Sequence, residues 1–335
     1  MLRVAAIGLG WWSGMHASAI EGSELLRIEA CHNDCGDAAY DSAAMKSYAE
    51  RFGARPVVRF DDVLRDKSID ALLVTTPHSR HVPQIVAAAR AGKHVLVEKP
   101  LSITVESGRS AIEEARKAGV VLAVGLNRRF TSPLKAVKSL VDQGALGTIL
   151  HAEGQFSYPG AMEFKKGYWR ADPAEAPAGA MTATLIHMID AFHFLLGPIE
   201  RVVGARSKHR AAPLPIEDTT SMLVELASGA TGYIGGSIAA ADVTMLNLYG
   251  AKASVYAGID EEQVAFQKSG APAREPFPIE PPVNSLRLQA EAFARACTGG
   301  PAFPLPPEEA LRAIAVMEAV IRSARTSSAV DVKPI

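Results

Sequence analysis

The chain has 335 residues, 48% hydrophobic and 21% charged, a length that fits two domains of ordinary size, each with its own core. Its 35 basic and 36 acidic residues leave a net charge of −1, so no global field favours nucleic acid or an anionic membrane. No apolar run approaches the ~20 residues that span a bilayer, the start MLRVAAIG reads as a strand and not as a secretory signal, and Cys31, Cys35 and Cys297 make neither a disulfide framework nor a metal site. The expectation is a reduced, cytoplasmic protein without a metal.

LRVAAIG (2–8) predicts a buried strand, with a helix from Ser13. LLRIEAC (25–31) is a second strand and AAMKSYAERFG (43–53) a helix ended by glycine. IDALLVTTP (69–77) and HVLVEKP (94–100) are strands with the helix VPQIVAAARAGK (82–93) between them. The helix ITVESGRSAIEEARKAG (103–119) and the strand VVLAVGL (120–126) complete the series. Apolar strands alternating with helices predict a parallel sheet covered on both faces, with ligands at the carboxyl ends of its strands. After 126 the texture changes. One more helix, KAVKSLVDQGALG (135–147), precedes β-type segments at 149–158, 201–208, 219–239, 243–258 and 262–269, with hairpin turns at ASGAT and YGAKA. These predict an open, mostly antiparallel sheet, interrupted by one helix over 182–196. A proline-rich linker (271–282) leads to two last helices, 285–299 and 306–325.

The loop AIGLGWWSGMH (6–16) follows the first strand and precedes a helix. Gly8 permits a tight turn, Gly10 lets the backbone approach a pyrophosphate, and the helix start offers N–H groups to the phosphates. Ser13 stands where a third glycine is expected, and Gly14 comes one place late; serine is small enough to keep the helix close to the strand. Of Trp11 and Trp12, one covers the dinucleotide or walls a pocket and the other packs between helix and sheet. At the tip of the second strand, His32 and Asn33 could donate to a 2′-phosphate, or Asn33 and Asp34 could hold a free ribose hydroxyl, which leaves NAD and NADP both open.

Further landmarks follow in order: TTPHSRH (75–81), EKP (98–100), GLNRRF (125–130), YWRAD (168–172) and GAMTATLIHMIDAFHFLLG (179–197). With the glycine loop, they make the sequence resemble the glucose–fructose oxidoreductase / inositol dehydrogenase / rhizopine-catabolism (Gfo/Idh/MocA) family over nearly its whole length. The resemblance implies an α/β Rossmann domain (1–126), and an α+β domain (127–335) whose open, mostly antiparallel sheet makes a homodimer or homotetramer contact; the last helix would pack back on the first domain. It implies NAD or NADP as cofactor and hydride transfer at a hydroxyl-bearing carbon of a sugar, cyclitol or related small molecule. By the resemblance, Lys99 reaches both cofactor and substrate, with Glu98 and Pro100 in the same turn. Thr75, Thr76, Pro77, His78 and His81 run beside the nicotinamide ribose, and Asn127 and Arg128 face the nicotinamide half. One departure stands out. Family dehydrogenases carry an aspartate four residues before the catalytic histidine, His187 here, and this chain has Ala183 there, flanked by Thr182 and Thr184. That raises an alternative, a decarboxylase or lyase on a hydroxylated aromatic acid built on the same scaffold, and a third, a nucleotide sensor without turnover.

Hydride transfer from an alcohol needs a base for the hydroxyl proton. Lys99 ends an apolar strand and precedes proline, which suits such a base. His187, with a near-neutral intrinsic pKa, is the second acid/base candidate, and Asp190 lies one turn later on the same face. Arg129 and Arg170 could bind a substrate carboxylate bidentately or form salt bridges within the protein. Tyr168, Trp169 and Thr184 complete the substrate candidates; His16 and His193 read as structural.

Overall fold

The computed structural model describes residues 1–33, 42–164, 167–212, 214–260 and 262–335. In chain order its elements begin with β1 (Leu2–Ile7), α1 (Trp11–Ile20), β2 (Leu26–His32), α2 (Ser42–Phe52), β3 (Arg55–Pro56) and α3 (Phe60–Arg65). They continue with β4 (Ala71–Val74), α4 (His78–Arg90), β5 (His94–Glu98), α5 (Val105–Ala118), β6 (Leu122–Gly125) and α6 (Ser132–Asp142). Then come β7 (Ile149–Ser157), α7 (Ile186–Leu196), β8 (Ile199–Lys208), β9 (Thr219–Leu226) and β10 (Thr231–Ser237). The last are β11 (Val243–Gly250), β12 (Ala253–Gly258), β13 (Gln263–Lys268), β14 (Glu275–Pro276), α8 (Ser285–Cys297), α9 (Pro307–Thr326) and β15 (Val330–Asp331). They form two compact units, Met1–Asn127 with Asn284–Leu311, and Arg128–Val283 with Arg312–Ile335.

Among the described residues, the first unit holds a six-stranded sheet in the order β3-β2-β1-β4-β5-β6, parallel throughout. Ala5, Ala6, Ile7, Leu72, Val74 and Val97 have no exposed surface, which is why these strands are written as apolar runs and not as alternations. The chain leaves β1 toward β2 and returns to its other side as β4, so the carboxyl ends of β1 and β4 flank the point where strand order reverses, the crevice that binds ligands in such sheets. Local chemistry marks the helix ends. The Thr104 side chain caps α5 by accepting from Ser107 N, and Gly119 ends it in the left-handed region at φ 67°.

The helix 285–299, assigned from sequence to the second domain, lies in the first unit as α8. Its reason is apolar: Ala290 and Phe293 are buried and close a small cavity with Val4, His16, Leu73 and Leu96, covering a stretch of sheet that would otherwise meet water.

The second unit holds, among the described residues, a nine-stranded sheet in the order β14-β13-β12-β11-β7-β10-β9-β8-β15. Its neighbours are antiparallel except β7 and β10. α6 and α7 pack on one face. There Phe192 of α7 fills the space that Gly154 and Gly232 leave: a Cβ on either would come within 3.1 and 2.7 Å of its ring. On the other face Leu223 and Tyr233, paired across β9 and β10, are exposed. The helix expected over 182–196 begins as a π-helical turn, Met181–Leu185, that runs into α7.

Candidate functional site

In the first unit, the sequence-derived residues from Gly8 to Lys99 gather on the loops at the carboxyl ends of β1, β2, β4 and β5. Gly8 has φ +83°, and a Cβ there would lie 2.8 Å from Thr76 Cγ2 and 3.0 Å from its backbone. Backbone conformation and space both demand glycine. Gly8→Ala is therefore expected to lower stability by about 1–3 kcal/mol, measured by urea unfolding; an unchanged midpoint would show that the β1–β4 contact gives way. Gly10 differs. A Cβ there would meet nothing within 4 Å, so the protein itself does not require the missing side chain. Gly10 is the N-cap of α1 and no side chain caps the helix, which leaves the first N–H groups available to an approaching anion.

Ser13, at the third glycine position, is fully buried, and its hydroxyl donates to Tyr48 Oη at 3.2 Å. Burial pushes the Tyr48 phenol up to about 12. The serine thus keeps the close packing that a glycine would allow and adds a bond to α2. Trp11 is 74% exposed, while the Trp12 ring stands edge-on to His16 at 5.7 Å, so the two tryptophans divide between solvent and interior.

His32 and Asn33 are buried and brace the loop from behind. Asn33 Oδ1 accepts from Leu9 N at 3.1 Å, and His32 Nδ1 lies 2.9 Å from the Val57 carbonyl. Asp34, the other ribose candidate, lies outside the described residues. From β4, Thr75 Oγ1 donates to the Gly8 carbonyl at 2.7 Å and Thr76 Oγ1 to Gln84 Oε1 at 2.7 Å. Pro77 is the N-cap of α4. His78 and His81 follow in its first turn, both buried, with ring centroids 5.7 Å apart.

At the end of β5, Glu98 is buried with its Oε1 2.8 Å from His16 Nε2, and its Oε2 accepts from Lys99 N at 3.2 Å. Burial works to raise the Glu98 pKa, but the hydrogen bond and charge of His16 and the charge of Lys99 outweigh it and hold the carboxyl below its ordinary value. The space for this carboxylate is made by Gly125, where a Cβ would come within 2.5 Å of Glu98 Oε1. Lys99 itself is half-buried. Asn127 donates to Ser285 Oγ at 2.8 Å, tying the end of β6 to α8.

The second unit assembles its own group. His187, the second residue of α7, is buried, and its ring centroid lies 5.9 Å from that of Phe156. On Phe156 also rests the Arg128 guanidinium, 4.4 Å from the ring centroid, held by Asp260 at 2.5 and 3.2 Å. Burial raises the Asp260 pKa, yet Arg128 and Thr244 bring it below the usual carboxylate value. Of the two expectations for Arg129, a substrate carboxylate or a salt bridge within the protein, the structure shows the second: Arg129 holds Asp190 at 2.6 and 3.0 Å, with both side chains almost wholly buried. Thr184 Oγ1 donates to the Ala180 carbonyl at 3.0 Å, and Thr182 Oγ1 accepts from Ala178 N at 3.3 Å. Ala183 and the Arg170 neighbour Ala171 pack into one apolar cluster with Ala180 and Ile238. Arg170 donates to Tyr168 Oη at 2.5 Å and stacks 4.2 Å from the Trp169 ring centroid.

His193, also on α7, has both ring nitrogens buried without a partner. Burial first, then the charges of Arg129 and Arg312, lower its pKa from 6.5 to about 3. The folded state thus refuses a proton that the unfolded chain accepts. Stability owed to this group is intact above pH 6.5 and drains away as pH falls toward about 3. His193→Leu is expected to flatten that part of the stability–pH curve, read from thermal unfolding across the window; an unaltered slope would assign the acid limb elsewhere.

Sequence reasoning missed His16 as the partner of Glu98, Gly125 as the room for it, and Asp260 as the holder of Arg128. His16 carried a signal, a lone imidazole among small residues one turn after the glycine loop. Asp260, after a strand end, carried none.

Residues 2–126 match the oxidoreductase family with an NAD-binding Rossmann fold, and residues 134–256 match the GFO/IDH/MocA C-terminal domain. The chain is 28% identical over 244 residues to the scyllo-inositol 2-dehydrogenase (NAD(+)) of Bacillus subtilis strain 168, covering 70% of this chain and 67% of that protein. It is 25% identical over 295 residues to scyllo-inositol 2-dehydrogenase (NADP(+)) IolW of the same organism, covering 81% of each. Among solved structures, the aldose-aldose oxidoreductase from Caulobacter crescentus complexed with glycerol superimposes with a TM-score of 0.88 at 25% identity, over 98% of this chain and 99% of that one. Both matched domains, in the order and with the folds described above, establish that the chain belongs to the Gfo/Idh/MocA family of oxidoreductases.

Proposed function

We propose that the protein transfers a hydride between NAD or NADP and a hydroxyl-bearing carbon of a sugar, cyclitol or related hydroxy compound. The observation that carries this reading is the loop at the β1–β4 crevice, where the fold demands Gly8, while the space beside Gly10 is open to an approaching group. The residues fit a dinucleotide: a tight turn, an uncapped helix start and a wall of Thr75 and Thr76. The nicotinamide, when bound, gives or takes the hydride. Lys99 holds the substrate hydroxyl and takes its proton, with the ionised Glu98 behind it. His187 is the second proton carrier; Phe156 packs beside its ring and carries the Arg128 guanidinium. Arg170, Tyr168 and Trp169 are the proposed substrate contacts, with Thr184 and Arg129 acting on the helix that bears His187. Relatives named for inositol and aldose chemistry support the substrate class, and their split between NAD and NADP keeps both cofactors in the proposal. Among the described residues, no helix is long and apolar enough to cross a membrane; a cytoplasmic homodimer or homotetramer joined through the exposed face of the larger sheet is part of the same proposal.

The test is a screen of sugars, cyclitols and hydroxy acids with NAD⁺ and NADP⁺ separately, read at the reduced-nicotinamide absorbance. Growth of that band with a polyol is the expected result. A flat trace with every substrate, from protein whose tryptophan fluorescence is quenched by NADH or NADPH, would sink the redox reading. Neither the fold nor the relatives favour the decarboxylase alternative, and it is not carried further.

A further inference from the structure

His81 has no exposed surface, so it offers nothing directly to a cofactor. Its two ring nitrogens each face a backbone carbonyl: Nδ1 lies 2.8 Å from the Pro100 oxygen and Nε2 3.1 Å from the Thr76 oxygen. A neutral imidazole carries one N–H, and its other nitrogen is an acceptor. Two carbonyl oxygens in hydrogen-bonding range therefore suit only the imidazolium, which donates to both; either neutral tautomer would point a lone pair at an oxygen. Charge strengthens both bonds.

Two effects oppose the charge: burial, which disfavours an ion in the interior, and the dipole of α4, which disfavours a cation near its first turn. The two carbonyl oxygens, in direct contact with the ring, act the other way. Of the elements packed along α4, β4 (ALLV) brings no ionisable side chain. α5 turns Gly108, Ala111, Ile112 and Ala115 inward. β5 brings Glu98 and then Lys99 at its end, and α4 itself brings His78, 5.7 Å away, and the adjacent Arg80, whose Nε is buried. Glu98, paired with His16, is the carboxylate nearest in the chain to the Pro100 turn.

The two carbonyls belong to the two loops that matter. Thr76 is the surface against which Gly8 turns, and Pro100 follows Lys99 directly. We propose that His81 is a positioning residue, an imidazolium that clasps the Thr76 and Pro100 carbonyls and so fixes the turn bearing Lys99 against the wall of the glycine loop. The kinetic consequence rests on the hydride-transfer reading above; the charge of the ring does not.

The first measurement is a long-range ¹H–¹⁵N correlation on the intact wild-type chain labelled with ¹⁵N-histidine, near neutral pH. Two protonated nitrogens on His81 are expected, when an ordinary histidine of pKa about 6.5 is mostly neutral. One protonated nitrogen overturns the proposal, whether or not a substrate has been found. The second compares His81→Ala and His81→Gln by kinetics and by NADH titration. Loss of the clasp is expected to lower kcat about tenfold or more with the NADH dissociation constant changed less than about threefold. Glutamine, whose amide can still donate, should recover part of the loss. A fall of kcat and NADH affinity together, in step with the melting temperature and without rescue by glutamine, would make His81 merely structural and overturn the positioning role.

Discussion

Lys99→Met is expected to lower kcat by about 10²–10⁴-fold, the range for loss of a positioned acid–base group, while NADH affinity stays within about threefold of wild type. Methionine keeps an unbranched apolar stem of similar reach and removes the amine. The Glu98–His16 contact at 2.8 Å and the Lys99 backbone N–H that donates to Glu98 at 3.2 Å do not need the amine, although its loss removes one of the charges that keep the Glu98 pKa low. Steady-state rates and fluorescence titration, measured on the same preparation, separate the two quantities. Turnover at the wild-type rate would take Lys99 out of the mechanism. Equal losses in rate and in cofactor affinity would make it a binding group.

Asp190→Ala carries the largest expected effect on stability, about 3–5 kcal/mol, because it leaves the Arg129 guanidinium buried without its carboxylate. The pair is nearly dry on both sides, 6% and 3% exposed, and the guanidinium also lies 4.9 Å from the Phe194 ring centroid. Replacing both partners by apolar residues, Arg129→Met with Asp190→Leu, should recover much of the loss, since removing both charges also removes their desolvation. Urea unfolding of the single and double variants makes the comparison. A loss below about 1 kcal/mol for Asp190→Ala would place the pair in the range of surface salt bridges. Asp190 stands one helical turn after His187, so the single variant should also lose activity more than the double variant does.

The parallel strands of the first unit were legible as apolar runs, and α2 was legible from its glycine stop. β3 and α3 were not read. Arg55–Pro56 is too short to show a period, and Phe60–Arg65, six residues with Asp61 and Asp62 in its first turn, shows less than two turns of pattern. The start of α7 was read as plain helix because nothing in MTATL distinguishes a π-helical turn from an α-helical one. The domain of α8 was misplaced because chain order assigns it to the second half, whereas its apolar face belongs on the first sheet.

The candidate site divides the same way. Gly8, Gly10 and Lys99 could be singled out as candidates from local chemistry: a glycine between strand and helix, a lysine between an apolar strand and a proline. The partners of the other polar residues could not. Asn33 meets Leu9, 24 residues away; Arg129, for which a salt bridge was one of two readings, meets Asp190, 61 residues away; His16, read as structural, meets Glu98, 82 residues away. By itself the sequence determined the succession of strands, loops and helices and the residue types at the strand ends, since hydrophobic period and turn chemistry act over a few residues. Only the tertiary structure decided which donor meets which acceptor, because that depends on strand order and register, and a buried polar side chain takes the partner that the packed sheet brings within 3 Å.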